Sequence, residues 1–210
     1  MSRDSFSSHN RKRKPKSRKF FKMGPDVRSR RRAGYRLKNR MTLTQGRSDL
    51  GPPIGRRGFL DYPEPPRLVF DHKLGRVPRD LEQCSAYWLI SDRMKTVLKS
   101  VDPQGFAFVR CEVHLRDGRP GPRYWLCDVV RILDAIDETA SRLRIYDEKG
   151  DKTYNLMGGA NLVFKQDIVA RAHVFRMAHL EPSVICDQDL KDACKSAGLK
   201  GISFRDAANL

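Results

Sequence analysis

Several signals that usually betray a function are missing from this sequence. No apolar run approaches the roughly 20 residues that a membrane-spanning helix needs. The N-terminus is basic, but no apolar segment of roughly 7–15 residues follows it, so it does not read as a secretory signal. The expected location is therefore cytoplasmic, with no membrane contact. Cysteine is sparse, odd in number and never paired as CxxC: Cys84, Cys111, Cys127, Cys186 and Cys194. Free, largely buried thiols are expected rather than a disulfide framework.

Catalytic and metal-binding signatures are also lacking. The five histidines are His9, His72, His114, His173 and His179, and none sits in HExxH, HxH or a close Cys/His pair. His173 and His179 are six apart, which in a strand places them on one face; structural or surface histidines are the expected outcome. Met157-Gly158-Gly159-Ala160 lacks the GxxxxGK[ST] spacing of a phosphate loop and reads as a tight turn or bulge. Ser91 is not in a G-x-S-x-G elbow. Asp128, Asp134, Asp137 and Glu138 read as turn formers and a solvated polar face rather than as an acid/base pair. No catalytic residue, metal ligand or cofactor site is therefore nominated, and the chain is not expected to be an enzyme. A buried cluster of perturbed titratable groups in a large pocket would revive an enzymatic alternative.

What the sequence does have is positive charge, and it is concentrated at one end. Net charge is +17 over 210 residues, with 39% hydrophobic residues. Residues 1–60 carry 19 Lys and Arg against 3 Asp and Glu, whereas residues 61–210 carry 23 against 22. A near-neutral domain thus follows a cationic lead. Residues 1–18, with the like-charge block Arg11–Arg18, read as a disordered basic tail. Cationic clusters release counterions from nucleic acid and bind it without sequence preference. Arg11, Lys12, Arg13, Lys14, Lys16, Arg30, Arg31 and Arg32 are the candidate contacts for that role, with Phe20, Phe21 and Tyr35 available for stacking on bases. The competing role is a solvated tail without function.

The rest of the chain alternates short apolar runs with Gly, Pro and Asp turns. Strands are expected at Lys19–Met23 (ended by Gly24-Pro25-Asp26), 68–70, 87–90, 173–177, 184–186 and 201–204. Hairpins are expected over 106–133 and over 142–157, the second turning at Glu148-Lys149-Gly150-Asp151. Ser91 is a good N-cap for a helix over 92–100, whose Met94, Val97, Leu98 and Val101 share one face. Asp187 can cap a helix over 188–197, with Gly198 at its C-terminal end. Residues 46–66 are rich in Gly and Pro and read as an irregular connector. The fold class is α+β: a β-rich single domain with two or three short helices. Its expected bounds are 19–206, with 19–66 as an irregular basic lead and 67–206 as the compact core.

Two stretches carry a resemblance. Tyr87–Met94, YWLISDRM, and the ending HVFRMAHLEPSVICDQDLKDACKSAGLKGISF resemble a bacterial family catalogued as a domain of unknown function (number 1629) and described as immunity family 11 of polymorphic toxin systems. LDAID adds to the match, and MGPDVRSRRRAGY resembles rhizobial members in particular. The similarity runs from about Lys19 to Phe204. It implies a β-rich domain without catalytic residues that binds and blocks a toxin encoded beside it, and it carries no established binding residue onto this chain. Residues 1–18 exceed the family core.

The leading expectation is therefore a stoichiometric binding protein whose partner is a cognate protein toxin. The alternative is nucleic-acid association through the lead. An inhibitor of a cationic nuclease presents acidic groups, so a cationic lead does not suit that kind of toxin. A partner interface of roughly 800 Å² per side needs aromatic or Arg anchors. Tyr87, Tyr124 and Trp125 are the candidate anchors, while neighbouring Trp88 is expected in the core.

Overall fold

The structure is a computed structural model that describes residues 18–28 and 31–210. The candidate nucleic-acid contacts Arg11, Lys12, Arg13, Lys14, Lys16 and Arg30, and all of the expected tail except Arg18, lie outside the described residues.

Fourteen strands and four helices are described. They are β1 (Phe20–Pro25), β2 (Tyr35–Leu37), α1 (Arg40–Thr44), β3 (Arg67–Phe70), β4 (Leu81–Cys84), β5 (Tyr87–Ser91), α2 (Asp92–Val101), β6 (Phe106–Arg110), β7 (Glu112–Leu115), β8 (Tyr124–Val129), β9 (Ile132–Leu133), β10 (Arg144–Glu148), β11 (Asp151–Asn155), α3 (Gln166–Val169), β12 (Val174–Met177), β13 (Leu180–Asp187), α4 (Gln188–Ser196) and β14 (Ile202–Asp206). They form a β-rich α+β domain, as expected; α1 and α3 are each about one turn long. The strands make a five-stranded sheet, β14-β1-β13-β12-β9, a four-stranded sheet, β4-β5-β8-β6, a three-stranded sheet, β2-β3-β7, and the β10-β11 ribbon.

The four-stranded sheet is buried on both faces, which is why Tyr87-Trp88-Leu89-Ile90 reads as an unbroken apolar run. Trp88 and Ile90 join Phe21, Met23, Met94, Leu98, Val184 and Leu190 in a core shared with α2, α4 and the five-stranded sheet. Tyr87 and Leu89 point the other way, to Leu43, Leu50, Leu68, Phe70 and Val113. A third core lies behind the five-stranded sheet, where Phe20, Phe175 and Ile185 meet Ile136, Tyr154, Leu162 and Phe164. Neighbouring Phe20 and Phe21 thus serve opposite faces of β1. Both are buried, so neither ring is presented for base stacking.

Both longer helices start as their sequences suggest. The Ser91 hydroxyl accepts from Met94 N–H at 3.2 Å. The Asp187 carboxylate accepts from Leu190 N–H at 3.1 Å. Each cap satisfies a donor that the first turn leaves without a helical partner.

Several boundaries differ from expectation, and sheet membership explains them. β1 runs on through Gly24 and Pro25, because β14 pairs along that whole length, with Pro25 opposite Ile202. Residues 106–115 split at Cys111: β6 pairs with β8 and β7 with β3. Residues 124–133 split likewise, β9 leaving to run parallel to β12. β12 is only four residues long, so His173 and His179 fall outside it at its two ends instead of sharing a face.

Asp128 departs furthest from its expected role on a solvated polar face. It is fully buried. It accepts from Arg176 at 3.0 Å, from Gly58 N–H at 2.8 Å and from the Arg57 guanidinium. Arg176 also donates to Val129 O and Glu181 O, at 2.9 and 2.7 Å. One carboxylate therefore ties the 46–66 connector, β8 and β12 together. Asp137 does keep its turn role, accepting from Thr139 and Ala140 N–H, both at 3.1 Å.

All five cysteines are free and buried. Burial pushes their thiols up, to about 12 for Cys111 and for Cys194. The native protein should therefore react only slowly with a thiol reagent at pH 8, and all five thiols should react once it is unfolded. Replacing Asp128 with Ala leaves buried guanidinium groups uncompensated and should cost about 3–5 kcal/mol in urea unfolding.

Candidate partner-binding face

The basic segment before β2 is laid against the turn that follows β3. Gly34 N–H donates to Arg76 O at 2.7 Å, Arg76 N–H to Arg32 O at 3.0 Å and Asp71 N–H to Gly34 O at 2.9 Å. The approach is so close that a Cβ on Gly34 would lie 2.5 Å from Asp71 O, and one on Gly75 2.2 Å from Arg32 O. Glycine is required at both positions for that reason. Arg76 is then pinned by Glu82 at 2.8 Å, which also accepts from Arg79 N–H at 2.8 Å.

This packing leaves a cleft of about 630 Å³ between the ends of β3 and β7, the 76–78 segment and the 116–122 loop. Its walls are Phe70, Val77, Pro78, Leu115 and Pro122, and His72, Arg76 and the pairs Arg116–Asp71 (3.7 Å) and Arg119–Asp117 (2.7 Å) stand around them. Val77 is 76% exposed on the lip. A cleft of this kind can take one large apolar side chain beneath a rim of paired charges. Beside it, a second hollow is lined by Arg31, Arg32, Tyr35, Arg76 and Glu82. Arg31 and Arg32, both exposed, thus stand at this face.

The candidate anchors take other places. Tyr87 is fully buried, with its hydroxyl donating to Gly58 O at 3.0 Å and its ring 4.5 Å from that of Phe59. Tyr124 is buried behind the cleft. Its hydroxyl donates to Pro78 O at 2.9 Å, and its ring meets Phe70 edge-on at 5.1 Å. It shapes two cleft walls without reaching the opening. Trp125 is half-buried, donating to Asp92 at 2.8 Å, with the Lys95 ammonium 2.9 Å from its ring centroid. Trp88 is a core residue, as expected. Sequence reasoning missed the cleft; the available signal was Val77-Pro78, an apolar pair flanked by Arg76 and Arg79.

The remaining titratable clusters hold the fold together. His173, Asp187 and Asp189 present ligand atoms within 4.8 Å of one another. The Asp187 carboxylate is already engaged by Arg18 at 2.7 Å, His173 at 2.8 Å and the cap of α4. A guanidinium stands where a metal ion would have to approach, so this donor set does not suit one. His179 lies 3.6 Å from Asp134 and edge-on to Tyr154. Asp102 accepts from Arg131 at 2.6 Å and from His173 N–H at 2.9 Å. Gly158 and Gly159 form a turn with φ of +85° and +98°.

Residues 19–209 match the model of the Immunity protein family (Imm11). The chain belongs to that family. No curated protein matches it. The Imm11 match covers all four sheets and the cleft, and it begins one residue after Arg18. No helix among the described residues is long and apolar enough to cross a membrane.

Two buried carboxylates link this face and the core to pH. Burial raises the Glu82 pKa, but the hydrogen bonds from Arg76 and Arg79 outweigh it, and the net shift is downward. Asp102 follows the same logic, with Arg131 and the His173 N–H overcoming burial. A depressed folded-state pKa contributes stability that is complete above the ordinary carboxylate value, about 4, and is lost as pH falls through the lower folded value. Unfolding free energy should therefore fall below about pH 4. Glu82→Gln should flatten that slope in urea titrations at several pH values, leaving the part due to Asp102 and to the other carboxylates held down by hydrogen bonds, Asp26, Glu64 and Glu138.

Proposed function

We propose that this protein is a non-enzymatic immunity protein that neutralises a cognate toxin in the cytoplasm by forming a one-to-one complex, and that the cleft beside Val77 is the centre of the contact. The observation that carries the choice of face is an apolar cleft with an exposed Val77 on its lip, walled by Phe70 and Pro78 and rimmed by Arg–carboxylate pairs. Imm11 membership supports the role. The toxin surface that fits would offer an apolar side chain within a mixed polar rim. Tyr124 acts from behind by fixing Phe70 and Pro78.

Nucleic-acid association through the lead is the weaker alternative, because the described part of the lead spends much of its charge internally. Arg18 is held by Asp187, Arg28 by Asp26, Arg40 by Asp49 and Arg57 by Asp128. Arg47 donates to the carbonyls of Thr44, Gly51 and Pro52.

The test is capture of partners by tagged protein from its own host at moderate salt, with the unaltered chain, Val77→Glu and a chain lacking residues 1–17 in parallel. A single protein recovered near one-to-one, retained without residues 1–17 and reduced at least about tenfold by Val77→Glu, is the expected result. RNA or DNA recovered only with the intact basic segment, and no protein partner, would refute the reading.

A further inference from the structure

Among the described residues, the β10-β11 ribbon belongs to no larger sheet. Every residue of β10 is exposed, with Ile145 and Tyr146 at 40% and 47%. A two-residue turn joins the strands, with φ of +55° at Lys149 and +92° at Gly150, the signs of a type I′ turn. The direction of each backbone group follows. Tyr154, opposite Ile145, donates its N–H away from β10, to His179 O at 3.0 Å. Ile145 and Tyr154 are therefore a non-hydrogen-bonded pair. The N–H and C=O groups of Ile145 and Asp147 must then point outward, along the free edge.

The side chains of this edge are complementary to themselves. Arg144, Tyr146 and Glu148 share one face of β10. Arg144 and Glu148 have no charged partner among the described residues. Within the ribbon, Glu148 is paired across the strands with Asp151, a like-charge juxtaposition that weakens a sheet.

We propose that β10 is a self-association edge, at which two copies of this chain pair antiparallel about a two-fold axis through Tyr146. Arg144 of each copy then lies opposite Glu148 of the other, and Tyr146 opposite its own symmetry mate. Ile145 and Asp147 of one copy exchange backbone hydrogen bonds with Asp147 and Ile145 of the second, so two ribbons become one four-stranded sheet. The parity of the outward groups permits this register. A shift of two residues one way would set Asp147 against Asp147; the other way, Arg144 would face Tyr146 instead of Glu148. A five-residue pairing covers less than the roughly 800 Å² per side of a standard interface, so the dimer is weak, reversible and concentration-dependent. The inference does not depend on the toxin reading.

Sedimentation of the full chain over a concentration series tests it. A monomer–dimer equilibrium is expected. Arg144→Glu and Glu148→Arg should each weaken it about tenfold, and the double exchange should restore it, because it swaps the charges within the same pairs. Arg144→Glu is the diagnostic variant: it lowers the net positive charge, so general repulsion between copies predicts tighter association and the edge predicts weaker. Ile145→Pro removes an N–H that the monomer does not use, and it should abolish the dimer with little change in thermal stability. A chain that stays monomeric throughout, a dimer indifferent to these changes, or a double variant no better than the single ones overturns the proposal.

Discussion

The carboxylate of Asp128 is the interaction on which the arrangement of layers depends. It sits on β8, inside the four-stranded sheet, and its partners come from β12 in the five-stranded sheet and from the connector at Arg57 and Gly58. A buried charge is tolerated only when its hydrogen bonds are satisfied, so the connector must close over this point and the two sheets must hold one register. Replacing such a network with well-packed apolar groups is often neutral, whereas removing one member is costly. Its effect here is to specify one arrangement: Tyr87 bonds to Gly58 O on the same closed connector, and Arg176 reaches Glu181 O across the β12–β13 turn.

The distribution of cations has the same structural logic. A tally of charge marks the first 60 residues as a cationic lead attached to a neutral domain. In the fold, several of those cations close the domain: Arg57 from the connector onto Asp128, Arg18 on the capping carboxylate of α4, and Arg47 across the carbonyls of its own loop. The lead also supplies β1, which lies between β13 and β14. Arg31 and Arg32, both exposed, are set beside the cleft by the backbone contact between residues 32–34 and 71–76. Their position is therefore fixed by the fold.

Much of the local structure was legible because it rests on local rules. Ser91 and Asp187 announce their helices, since a side-chain acceptor at the N-cap fits those backbone donors wherever the helix is placed. The β10–β11 turn is marked by Lys149-Gly150, and the buried central strand by four successive apolar residues. The family was also legible, through motifs near β5 and at the C-terminus. Failures fell where a strand changes sheets, at Cys111 and between Val129 and Ile132, because an apolar run carries no mark of which neighbour will claim it. The burial of two candidate anchors has a related reason: aromatic residues suit an interface and a core equally well, and only packing decides between them for Tyr87 and Tyr124.

The sequence by itself determined a β-rich domain with capped helices, free thiols, a one-sided charge distribution and membership of an immunity family. All but the last follow from composition, periodicity and short-range hydrogen bonding, which act within a few residues; the family follows from motifs that resemble its members. Only the tertiary structure decided that Asp128 is a buried keystone, that the cleft opens beside Val77 and that the β10 edge presents opposite charges in self-complementary order. Each of these depends on residues far apart in the chain, or on which way a backbone group points. Long-range packing and strand parity set them, and no local pattern records either.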